Sequence, residues 1–108
     1  MGIAWIYLIV AGLFEAVWAI GLKYAQGFTK LWPSVITIVA MGISLYFLAL
    51  AIKNLPVGTA YAVWTGIGAL STAVLGIVLF GEPVHFSRIF FMLLLLVAIV
   101  GLKFTATT

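Results

Sequence analysis

The chain has 108 residues, of which 67% are hydrophobic and 6% charged, with a formal net charge of +3 and no cysteine. An ordinary soluble domain is about 45–50% apolar and about 25% charged, so this composition marks a membrane-embedded chain and leaves no room for a soluble domain. Disulfides and thiolate metal sites are excluded, and the few Lys and Arg residues sit at segment ends rather than in a patch that would bind nucleic acid.

Charges divide the chain into apolar runs. At ~1.5 Å rise per residue, about 20 apolar residues cross a hydrocarbon core of ~30 Å, and the spans must be helical because lipid offers no partner to an unpaired backbone group. An all-α membrane protein is expected, with helices near 3–23, 32–52, 56–80 and 85–104 forming one transmembrane domain over 1–108.

The first run, from Ile3 to Leu22, lacks a basic n-region and a cleavage site, so it reads as a span and not a signal peptide. Its one charge is Glu15, in "LFEAVWA". Counted from Ile3, Glu15 lies roughly 18 Å down the helix, close to mid-membrane. A charge there costs at least about 2.5 kcal/mol. Lys23, Lys30, Lys53, Arg88 and Lys103 all sit at segment ends, so no span carries a fixed counter-ion. The partner of Glu15 must then arrive from outside, as a proton or a cationic substrate. A carboxylate that holds one or the other couples them by competition, which is the minimal machinery of proton/cation antiport. The alternative is a neutral carboxyl hydrogen-bonded to a neighbouring helix. Trp18 at i+3 and Gly12 at i−3 share the face of Glu15. Trp5, Tyr7 and Trp32 fit the interfacial aromatic belt.

The second run, Leu31 to Ile52, has Pro33 just inside its start and Ser44 as its deepest polar side chain. Ser44 can share a layer with Trp64 of the third run, since each lies roughly 12 Å from the same interface. It can instead bond back to its own helix. The third run follows Pro56 and contains "GTAYAVWTGIGA", where Tyr61 and Trp64 are also i, i+3. Aromatic faces attract cations, guanidinium stacks on them, and its planar fork matches a carboxylate. An aromatic box around Glu15 is one reading, and for Tyr61 the belt is another. Gly66 and Gly68 allow either a bend or close packing. Gly68, Thr72 and Gly76 form a small-residue stripe of the kind used for helix packing.

The fourth run follows Pro83 and can extend back through Arg88, whose head can snorkel. His85 is the only histidine and has no metal-ligating partner, which argues against a metal site or an enzyme. Lys23, Lys30 and Arg88 fall on one side of the membrane. Lys53, Lys103 and the N-terminal amine fall on the other. This near balance admits one weakly fixed orientation or insertion both ways. Two oppositely inserted copies would supply the inverted repeat around which many transporters build a midplane site.

These residues resemble the small multidrug resistance family over the whole chain. The lone helix-1 glutamate, "LPVGTAYAVWTGIGA" at 55–69 and "GLK" at 101–103 carry the resemblance, and Trp18 after Glu15 is similar to the guanidinium-exporting subtype. The resemblance implies an antiparallel, dual-topology homodimer in the bacterial inner membrane, exporting guanidinium-like cations against inward proton movement, with no cofactor. It implies Glu15 as the shared proton and cation site and Gly12, Trp18, Ser44, Tyr61 and Trp64 as pocket and support. Gly66 and Gly68 would be the helix-3 bend, and Lys103 a family position that a snorkelling end residue would also explain. Export of quaternary ammonium drugs and a non-transporting assembly subunit are the competing readings.

Overall fold

A computed structural model describes residues 2–105. It consists of α1 (Gly2–Ala25), α2 (Leu31–Ala51), α3 (Val57–Phe80) and α4 (Phe86–Thr105). Each helix is long and apolar enough to cross a membrane, with a mean hydropathy of 2.0 or more over its best window.

The helix ends have local causes. α1 runs two residues past Lys23, because nothing in "KYA" disfavours helix. It stops where Gln26, Gly27 and Phe28 all take positive φ, a conformation uncommon outside glycine. The amides of Thr29 and Lys30 then both donate to the Ala25 carbonyl, closing the turn. Pro56 serves as the N-cap of α3 and not its first residue. α3 ends at Gly81, whose φ of 63° is the left-handed cap that glycine adopts without steric cost. The Glu82 amide reaches back to the Gly76 carbonyl at 3.4 Å, a closure that folds Glu82 over the last turn of α3. α4 begins after His85, so Arg88 lies in its first turn.

α1 is the central element. It packs along α2 and against α3, while α4 packs mainly on α3. The core gathers at one end of the bundle: Ala4, Trp5, Leu8 and Ala11 of α1 meet Ala51 and Leu55 and then Ala60, Val63 and Trp64 of α3. Small residues let the backbones approach, since a Cβ at Gly12 would stand 2.6 Å from Ile67 Cγ2. A Cβ at Gly21 would overlap the Thr37 hydroxyl, so α1 and α2 stay close towards the other end as well. α4 contributes no buried residue; Ile99 and Leu102 pack half-buried against the core, and most of its other apolar side chains face outward.

The belt assignment fails for Trp5. It is 5% exposed and lies in the core, because it sits on the α1 face that turns towards α3. Lys103 Nζ lies 5.3 Å from its ring centroid and covers it from the end of α4. Trp32 is 71% exposed, as a belt residue would be, and Tyr7 packs its ring 5.8 Å from Phe47.

Candidate functional site

The face of α1 that carries Leu8 and Gly12 reaches Glu15 one turn further on. There α3 presents Gly68, and the Glu15 carboxyl group lies directly on it. A Cβ at Gly68 would collide with Glu15 Oε1 and the carboxyl carbon and stand 2.8 Å from Cγ. Glu15 Oε1 and Trp18 Nε1 are buried with no hydrogen-bond partner among the described residues. The reading of Glu15 as a carboxyl satisfied by a neighbouring helix therefore does not hold for this oxygen. Buried polar atoms are paired in the great majority of cases, so this open acceptor and this open donor, three residues apart on α1, are exceptions among the described residues.

Ser44 and Trp64 do meet. The Trp64 indole donates to Ser44 Oγ at 2.9 Å, and Ser44 Oγ donates to the Ala11 carbonyl at 2.7 Å. Ser44 thus bonds across to α1 and not back along α2, and it joins three helices at one level. These polar groups are occupied by each other, so within one chain they support the site without facing it.

A cavity of about 460 Å³ runs from Glu15 along the Gly68, Thr72 and Gly76 stripe of α3. Its outer end is formed by Lys23, Glu82 and Arg88. Of the residues expected at the site, Glu15 and Gly68 line it. Gly12, Trp18, Ser44, Tyr61, Trp64 and Gly66 do not. Tyr61 does not reach this cavity: it is 57% exposed, with its ring 5.4 Å from Trp64 on the outer side of α3. α3 is one uninterrupted helix through Gly66 and Gly68. Gly66 instead admits α4, with a Cβ there reaching Ile99 Cγ1 at 3.0 Å. Lys103 lines a separate apolar cavity of about 430 Å³ with Trp5, between α3 and α4.

The sequence reading passed over Glu82 and took Arg88 for a snorkelling end residue. Arg88 Nη2 donates to Glu82 Oε1 at 2.8 Å. The available signal was the Gly81–Glu82 pair after a long apolar helix, which a left-handed cap turns back onto the helix end.

The model of the Small Multidrug Resistance protein family matches residues 3–95. The chain belongs to the small multidrug resistance family. Among its relatives, a guanidinium exporter of Yersinia pseudotuberculosis is 61% identical over 100 residues, spanning 93% of this chain and 96% of that one. A guanidinium exporter of Escherichia coli K12 is 57% identical over 93% of this chain and 95% of its own. One of Salmonella typhimurium is 54% identical over 95% and 98%. This family member is a transporter and not an enzyme, and a multi-pass protein of the bacterial inner membrane.

Proposed function

We propose that this protein exports guanidinium and small guanidinyl cations in exchange for protons, with Glu15 holding either ion in turn. The observation that carries the reading is the Glu15 carboxyl group on Gly68, with an unpartnered buried oxygen at the inner end of a cavity. A carboxylate in such a place is stable only when neutralised. A proton does this by bonding to it, and a guanidinium by a two-pronged hydrogen bond. Because both use the same oxygens, loading one releases the other. The names of the relatives, which this chain matches over nearly its whole length, support guanidinium as the cation.

The functional unit of this proposal is an antiparallel pair of identical chains, inserted in opposite directions. The outward apolar face of α4 and the outward Tyr61 support it, since both are largely exposed among the described residues. Tyr61 and Trp64 would then complete the aromatic surroundings of the site in the pair.

The test is proton movement in liposomes containing only this protein, with guanidinium added on one side. Exchange by the wild-type chain and none by Glu15→Gln is the expected result. An active Glu15→Gln protein overturns the proposal.

A further inference from the structure

The cavity holds a second carboxylate, seated as the first is. A Cβ at Gly76 would stand 2.5 Å from Glu82 Oε1, 2.8 Å from its carboxyl carbon and 3.0 Å from Oε2. Glu15 rests on Gly68 in the same way. Gly68, Thr72 and Gly76 are four residues apart, so one stripe of α3 carries both seats, separated by about 12 Å of helix rise. Both carboxylates line the same cavity, Glu15 at its inner end and Glu82 at its outer end.

The outer seat already holds a guanidinium, that of Arg88. The contact is one-pronged, from Nη2 to Oε1 at 2.8 Å. A guanidinium free of a side chain can approach the carboxylate in its plane and engage both oxygens. Arg88 and Glu82 are 35% and 39% exposed, so water reaches the pair and the contact can exchange. The other cation at this end, Lys23, lies over the Phe80 ring at 5.2 Å and makes no ion pair among the described residues.

We propose that Glu82 is a second cation station, where an arriving guanidinium-type cation displaces the Arg88 side chain before moving along the glycine stripe to Glu15. The station rests on the exchange function proposed for Glu15. Arg88 is the internal competitor: it keeps the outer carboxylate neutralised when no substrate is there, and it re-forms the pair once the cation has passed.

The decisive feature is the sign of two substitutions. A merely structural ion pair is broken equally by Glu82→Gln and Arg88→Gln, so both change transport in the same direction. A station predicts opposite directions. Initial rates of guanidinium-driven proton movement are measured in liposomes at guanidinium well below saturation. Glu82→Gln should lower the rate by roughly three- to tenfold, and Arg88→Gln should raise it by a similar factor. Gly76→Ala supplies a variant that keeps both charged groups and raises helix propensity while forcing the Glu82 carboxylate off its seat; its rate should fall with that of Glu82→Gln. Equilibrium binding of guanidinium to the inner site, followed by tryptophan fluorescence, should stay within about twofold in Glu82→Gln. Equal effects of the two single substitutions, or an unchanged rate in Gly76→Ala, overturn the station alone. Absence of exchange by the wild-type chain overturns the function of Glu15 and the station with it.

Discussion

Glu15 and Gly68 are in direct contact: the carboxyl group of the only acidic residue within a span sits against the α3 backbone, where any side chain would displace it. In the function proposed above, this contact, more than the depth of Glu15 in the membrane, sets where the cation is held. Gly68→Ala should therefore act on function and not on folding. Alanine favours helix over glycine by about 1 kcal/mol, which offsets part of any repacking. The expected outcome is a well-folded protein whose guanidinium affinity falls at least about tenfold, equivalent to about 1.4 kcal/mol. Calorimetric titration beside a thermal unfolding scan separates the two effects.

Ser44→Ala should act in the opposite way. It removes the acceptor of the Trp64 indole and the donor to the Ala11 carbonyl. A buried group left unpaired costs about 1–3 kcal/mol. Unfolding in mild detergent with a denaturant should show a loss of that size. The double variant Ser44→Ala with Trp64→Phe should lose less than the sum of the two single changes, because the orphaned donor is gone.

Acid should compete with the cation. If proton and guanidinium share the Glu15 oxygens, each proton taken up excludes one cation. Apparent affinity should then be constant at high pH and weaken as pH falls, approaching about tenfold per unit once the carboxyl is mostly protonated. Binding isotherms across a pH series check this, and a flat series would mean that the two ions do not share a site.

Tyr61→Phe examines the second copy. Tyr61 is largely exposed, and its hydroxyl has no partner among the described residues. Its removal should leave the stability of the single chain within about 0.5 kcal/mol. A clear fall in transport at unchanged stability would mean that the hydroxyl acts on the partner's side of the site. Unchanged transport would remove Tyr61 from the machinery.

Much of this arrangement was legible in the sequence. The apolar runs and the prolines gave the helices, because in lipid no other regular structure closes its own hydrogen bonds. Glu15 announced itself by its cost. The i, i+3 spacing put Trp18 on its side, and depth counting put Ser44 level with Trp64. What depth and spacing do not carry is the rotation of one helix about its axis relative to the next. That rotation put Trp5 into the core and Tyr61 on the outside. Glu82 was missed for another reason: its position depends on one left-handed glycine, Gly81, which reverses the chain onto α3. Gly66 and Gly68 looked alike in sequence, yet one faces Ile99 and the other Glu15.

The side-chain bonds through Ser44 and the core around Leu8 and Val63 all lie towards the same end of the bundle. Towards the opposite end α1 grips α2 through Gly21 and Thr37, and beyond the cavity it meets α3 again where Tyr24 and Lys23 lie against the Phe80 ring. The chain is therefore built like a clothes-peg. One jaw is α1 with α2, the other is α3 carrying α4, and the spring is the Ala11–Ser44–Trp64 rivet. The jaws touch again at their tips, where Phe80 meets Tyr24 and Lys23, so the cavity is bounded by the rivet at one end and by these ring contacts at the other.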